Sequence, residues 1–214
     1  MSLDVEMLTV GPLAENCFLV GPEGDSRAVI VDPGEEPERI LAAAEARGAK
    51  VEAILLTHCH FDHIGAVAPV ARATGAPVYC PRVETPLLAD IMAFVPVPGL
   101  GPYESYEADE QVEGGEVLEL AGMTLDVVFT PGHSPGHVTY SARDEEAIFS
   151  GDVLFQSSVG RVDLPGGDGP TLLRSIGTLL ETHPDGTTVH PGHMGMTTLG
   201  AERATNPFLT GLAA

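Results

Sequence analysis

Four metal-competent side chains, His58, His60, Asp62 and His63, crowd into six positions of the run Thr57-His58-Cys59-His60-Phe61-Asp62-His63. Imidazoles and carboxylates packed this closely desolvate badly or repel one another as cations unless a positive ion organises them. On an extended segment an i, i+2 pair points the same way, so His58 and His60 can serve one ion. Asp62 and His63 follow where the chain is expected to turn into a helix, displaced enough to serve a second ion. Three further candidates each follow a glycine: His133 in Pro131-Gly132-His133, Asp152 in Gly151-Asp152 and His193 in Pro191-Gly192-His193. Seven donors exceed what one zinc ion uses, so the count implies a pair of divalent metals. Asp152 is the natural bridge, since a carboxylate offers two oxygens, and Asp62 and Asp152 are the expected catalytic carboxylates. Two ions about 3.5–4 Å apart would trap a hydroxide able to attack a carbonyl, because a zinc-bound water ionises near pH 7. The chemistry expected is metal-dependent hydrolysis.

Other metal-competent residues read differently. Alternation places Cys59 on the face opposite His58 and His60, so it is expected as a packed neighbour. Cys17, Cys59 and Cys80 are odd in number, widely spaced and form no CxxC pair, which suits reduced thiols rather than a disulfide framework. His183 and His190 are read as ordinary histidines, and His137 as a possible neighbour of the donors.

The donors need a rigid frame. Strands are expected over residues 7–10, 16–20 and 28–31, then a helix from Pro37 stopped by Gly48. The apolar run 51–56 fits a buried strand that delivers the histidine motif at its C-terminal end. A helix over 64–73, a strand over 77–80 and a helix over 84–94 follow. Residues 95–103 are too rich in proline and glycine for a periodic element and read as a long binding loop. Strands over 116–120, 123–129, 138–141, 147–149 and 187–189, with a helix over 172–180, complete the pattern. Each donor segment lies just past a strand, so the segments are expected to converge at one rim of a mixed sheet in an α/β architecture.

Length and composition fit this frame. The 214 residues suit one domain over 1–214, and 43% hydrophobic with 19% charged residues is ordinary for a folded chain. The formal net charge of −21, with Lys50 the single lysine, repels phosphate backbones, so no nucleic-acid partner is expected. No apolar run reaches the ~18 residues of a membrane span. The N-terminus lacks the basic start and apolar stretch of a secretory signal, so a cytoplasmic location is expected. Composition leaves the oligomeric state open.

With those residues in view, the sequence resembles a member of the metallo-β-lactamase superfamily. Thr57-His58-x-His60-x-Asp62-His63, Gly132-His133, Gly151-Asp152 and Gly192-His193 match that superfamily's motifs in order, and the likeness runs from Asn16-Cys17 and Asp32-Pro33-Gly34 to Asn206-Pro207-Phe208. Within it the chain looks most similar to short, single-domain glyoxalase II-like proteins, through Pro131–His137, Gly160-Arg161-Val162-Asp163 and Thr197–Arg203. The resemblance implies an αββα sandwich of two mixed sheets with helices outside. It implies one ion on His58, His60, His133 and Asp152 and another on Asp62, His63, Asp152 and His193. Zinc is the default metal, with iron or manganese suited to the same nitrogen and oxygen donors. It also implies hydrolysis of a glutathione thioester such as S-lactoylglutathione.

The likeness has limits. Full-length glyoxalase II carries a C-terminal helical domain with basic glutathione contacts, which a chain ending about twenty residues past His193 is not expected to have. Arg161 falls where the family places a basic substrate contact, but Asp163 stands in place of a tyrosine, so Arg161 reads equally as its ion-pair partner. A persulfide dioxygenase, sharing the fold, would use a single iron on His58, His133 and Asp152. Lactone or phosphodiester hydrolysis, or a metal-stabilised scaffold without turnover, are further alternatives, since fold alone does not fix substrate. β-Lactam hydrolysis is not expected without a secretion signal.

Overall fold

Residues 17–20 and 28–31 are buried at every position. Because successive strand side chains face opposite ways, such strands need cover on both sides. The computed structural model of the chain describes residues 2–95, 98–143 and 145–210 and supplies both covers. Among the described residues β1 (Leu3–Val10), β2 (Glu15–Pro22), β3 (Arg27–Val31), β4 (Lys50–Leu55), β5 (Val78–Pro81) and β6 (Glu110–Val112) form one six-stranded sheet in that order. Pairing is antiparallel from β1 to β3 and parallel from β3 to β6.

The rest of the chain builds a second sheet from β7 (Val117–Leu120), β8 (Met123–Phe129), β9 (Val138–Ala142) and β10 (Ala147–Gly151). A short hairpin, β11 (Leu154–Phe155) with β12 (Ser158–Val159), precedes β13 (Thr188–Pro191) and β14 (Thr197–Thr198). The order is β14-β13-β10-β9-β8-β7, antiparallel except for the parallel β10/β13 pair. Both sheets are mixed, as expected.

Three apolar layers follow from strand alternation. Phe18, Val20, Val29, Val31 and Leu55 point between the sheets and meet Leu125, Val127, Tyr140 and Phe149. Cys17, Leu19, Ala28, Ile30 and Ile54 point outward, where α1 (Pro37–Arg47) and α3 (Val67–Thr74) cover them with Ile40, Ala44, Val67 and Val70. On the far side Ile148 and Val189 meet Leu172, Ile176 and Leu179 of α6 (Gly169–Thr182) and Leu199 of α7 (Leu199–Thr205). The expected αββα sandwich is present. No helix among the described residues is long and apolar enough to cross a membrane.

Local departures have local causes. The helix expected over 64–73 is two pieces, α2 (Phe61–Ile64) and α3, parted at Gly65-Ala66. A Cβ on Gly65 would lie 2.5 Å from the Gly34 carbonyl oxygen and 2.7 Å from the Tyr103 ring, so this turn is pinned by tertiary contact. The helix expected over 84–94 is a 3₁₀ turn, Arg82–Glu84, then α4 (Thr85–Ala89) and α5 (Ile91–Phe94), broken where Asp90 turns out of the helical region. Of the proline- and glycine-rich loop, Pro96 and Val97 lie outside the described residues, and 98–108 carry no helix or strand.

Candidate metal centre

β4 ends at Leu55, and the chain stays extended through His60 before α2 begins. Extension puts His58 and His60 on one side, with His58 Nε2 3.1 Å from His60 Nδ1. Cys59 faces the other way and is buried, its Sγ 3.4 Å from Cys80 Sγ. Asp62 and His63 occupy the first turn of α2. His133, Asp152 and His193 follow β8, β10 and β13. The single rim expected from the sequence is therefore a meeting of two edges, one from each sheet, because the motif at 58–63 and the later donors belong to opposite sheets.

Two glycines make the approach possible. A Cβ on Gly192 would lie 2.4 Å from Asp152 Oδ1 and 2.6 Å from His63 Cε1, within the space where the two halves touch. Gly151 adopts φ 46°, and a Cβ there would lie 2.3 Å from Thr57 Oγ1. Any side chain at either position would push Asp152 away from the first sheet.

The donors converge in two groups. His58, His60 and His133 form one, with His133 Nε2 2.8 Å from His60 Nδ1. Asp62, His63 and His193 form the other, with His193 Nε2 3.4 Å from Asp62 Oδ2. Asp152 stands between them: Oδ2 is 3.5 Å from His133 Nε2 and 3.6 Å from His193 Nε2, and Oδ1 is 3.4 Å from His63 Nε2. All seven residues expected from the sequence meet at one place. Asp32, His58 and His63 also lie close, but Asp32 is already engaged by Thr57 and His63, so this third grouping supports the other two.

The outward ring nitrogens are held. His58 Nδ1 pairs with Thr57 Oγ1 at 3.1 Å, and that hydroxyl donates to Asp32 Oδ2 at 2.6 Å. His63 Nδ1 faces Asp32 Oδ2 at 3.1 Å, His133 Nδ1 the Arg161 carbonyl oxygen at 2.8 Å, and His193 Nδ1 the Ala14 carbonyl oxygen at 3.3 Å. With these nitrogens on acceptors, the four Nε2 atoms turn inward, the side a metal would occupy.

Electrostatics agree. Burial, with the neighbouring His63, holds His58 well below the usual imidazole range, and burial brings His60 down to about 4. Burial also lowers His133, so these rings are neutral donors. Burial would raise the Asp152 carboxyl, but His63, His133 and His193 outweigh it and hold it below its ordinary range. For His63 burial is likewise outweighed, here by Asp152, Asp32 and Asp62, and its pKa rises. His63 Nε2 and Asp152 Oδ1 are buried without a hydrogen-bond partner among the described residues, yet face each other. Buried polar atoms left this way are costly. Neutral imidazoles at His58, His60 and His133, with carboxylates ready beside His63 and His193, are a donor set that fits divalent cations.

Asp32 and Glu15 carry roles that the sequence does not assign, and His137 takes the neighbouring place expected of it. Asp32, buried at φ 48°, accepts the Thr57 amide at 2.7 Å and braces His63, and its signal is Asp-Pro-Gly at the end of an apolar strand. His137 is fully buried against His58, as a neighbour should be. Glu15 lies buried with Oε1 3.7 Å from His63 Nδ1 and both oxygens unpartnered among the described residues; burial pushes its carboxyl up. Nothing in the local pattern at Glu15 marks it. Arg161 is exposed and makes a two-pronged pair with Asp163, both contacts 2.7 Å, so the ion-pair reading of that position is present in the structure.

Strand-end loops gathering two His/Asp donor groups at the seam of an αββα sandwich are the makings of a divalent-metal hydrolase. The chain belongs to the metallo-β-lactamase superfamily, whose sequence profile matches residues 10–193. It is 33% identical over 214 residues to "Hydroxyacylglutathione hydrolase GloC" of Haemophilus influenzae, covering 97% of this chain and 98% of that protein. Among solved structures it is similar to BLEG-1 B3 metallo-β-lactamase (40% identity, TM-score 0.92, 97% of this chain and 100% of that one). It is also similar to TTHA1623 in a di-iron-bound form (44% identity, TM-score 0.80, 96% and 100% covered).

Proposed function

We propose that this metallohydrolase cleaves thioesters, with a hydroxyacylglutathione such as S-lactoylglutathione as the substrate. In this reading His58, His60, His133 and Asp152 hold one ion, and Asp62, His63, His193 and Asp152 the other. The observation that carries it is the Asp152 carboxylate, within 3.4–3.6 Å of donors from both groups. Zinc is the expected metal, although the likeness to a di-iron protein makes iron a full alternative. Bound divalent ions would acidify a water near neutral pH and polarise the scissile carbonyl.

The chain's own groups do the rest. His58 and His63 are wholly buried and make the floor, while His193 and Asp62 reach solvent at 21% and 14% side-chain exposure, so substrate approaches over them. His193 also meets the Phe155 ring edge-on at 5.9 Å between centroids, which gives this side of the site an apolar wall. Arg161, whose carbonyl oxygen holds His133, is the proposed glutathione contact. Once the thioester is attacked, the departing thiolate needs no strong acid, since a thiol ionises near pH 8.5.

The likeness to GloC supports a glutathione thioester, and the likeness to BLEG-1 favours β-lactam hydrolysis as a second reading. Assay of metal-loaded protein against S-lactoylglutathione, a short neutral thioester and a β-lactam separates them. The proposal expects the highest kcat/KM for S-lactoylglutathione, two metals per chain, and loss of both metals and turnover in Asp152→Ala. Fully loaded protein that leaves every thioester intact overturns it.

A further inference from the structure

His133 is the donor that the second sheet must carry across to His58 and His60, and it lies on a loop rather than a strand. That loop is gripped from the first sheet by one side chain. Glu84 ends the 3₁₀ turn after β5, is 1% exposed, and its Oε1 accepts both the Ser134 hydroxyl at 2.8 Å and the Gly136 amide at 2.7 Å. Gly136 allows this closeness: a Cβ there would lie 2.8 Å from Glu84 Cγ and 2.9 Å from Oε1. Ser134 directly follows His133, so the grip falls on the donor's own turn.

We propose that Glu84 is a positioning residue for the metal centre, holding the Ser134–Gly136 segment so that His133 stays over the first ion. This rests on the two-metal reading above. Glu84 Oε2 is buried with no hydrogen-bond partner among the described residues. A buried carboxylate half unsatisfied is expensive. What the charge adds is two charge-assisted hydrogen bonds, roughly twice as strong as neutral ones, both to this loop. The second group, Asp62, His63 and His193, makes no contact with Glu84, Ser134 or Gly136 in the described hydrogen bonds, so the effect falls on one ion of the pair.

The test strips zinc stepwise from the loaded full chain with a chromogenic chelator, in wild type, Glu84→Met, Glu84→Gln and Ser134→Ala, with thermal melts alongside. In Glu84→Met one zinc is expected to weaken about 10–100-fold, the usual cost of losing an outer partner of a ligand, while the other stays within about twofold. Melting of its metal-free form should fall only modestly, as the Ser134 hydroxyl and Gly136 amide lose their acceptor. Glu84→Gln, which keeps an acceptor without the charge, and Ser134→Ala, which removes one donor, should fall between. Both zincs held as in wild type, or both weakened equally with a lowered melting temperature, overturns the assignment. Wild type that releases fewer than two zincs overturns the two-metal reading and the Glu84 role together.

Discussion

The Asp152 backbone amide donates to Nε2 of His137 at 3.1 Å, which fixes His137 as the Nδ1–H tautomer. Its Nδ1 then donates to Thr130 Oγ1 at 3.1 Å, and the ring stacks on His58 at 4.9 Å between centroids. One neutral ring therefore steadies residues proposed for both halves of the centre. His137→Ala should weaken metal retention and lower kcat by about 10–100-fold. His137→Phe, which keeps the stack and loses the acceptor, should recover only part of both. Chelator competition and steady-state kinetics on the two variants check this, and a fully active His137→Ala protein would count against it.

Arg161 offers a two-sided experiment because Asp163 already occupies its guanidinium. Arg161→Ala should raise KM for a glutathione thioester by something on the order of tenfold, with a smaller change in kcat. Asp163→Ala should lower KM by freeing the cation. A KM unmoved in both variants means that Arg161 serves Asp163 alone.

Gly34→Ala tests the contact between the two turns of the first sheet. The added Cβ would lie 1.8 Å from the Asp62 carbonyl oxygen, which cannot withdraw without moving the Asp62–His63 turn, and 2.5 Å from Glu15 Oε2. Overpacking of this kind costs about 1–3 kcal/mol. Urea unfolding should register that loss, and metal analysis should find the site of Asp62, His63 and His193 depleted first.

His190 links stability to pH away from the donors. It stacks on Phe149 at 4.9 Å between centroids, and burial pushes its pKa down to about 4. In the unfolded chain a histidine titrates near 6.5, so between those values the unfolded state binds a proton that the native ring refuses. Its contribution is complete above pH ~6.5 and is lost as pH falls toward 4, by about 3 kcal/mol in all. His190→Phe keeps a ring in the stack and removes the proton. Between pH 7 and pH 4.5 wild type should lose unfolding free energy relative to the variant. A gap independent of pH would show that His190 is not the titrating group.

The donor identities were legible because they are dense and local: two histidines at i, i+2 and a glycine before each distant donor are properties of neighbouring residues. Long apolar strands such as β2 and β4 were equally plain. β11, β12 and β14, each two residues long, carry no period to read. The break at Gly65 was hidden for another reason, since it answers to Gly34 and Tyr103, remote in sequence.

What the chain determined alone was therefore a list of donors and the strand ends that carry them, since both follow from short-range spacing and alternation. Which donors face which was decided only by folding. Two sheets had to pack face to face before Asp152 could reach across to His63, Glu84 could take the Gly136 amide and His137 could stack on His58. Hydrogen bonds of that kind depend on an interface no local pattern encodes, because burial removes the water that would otherwise satisfy each buried group.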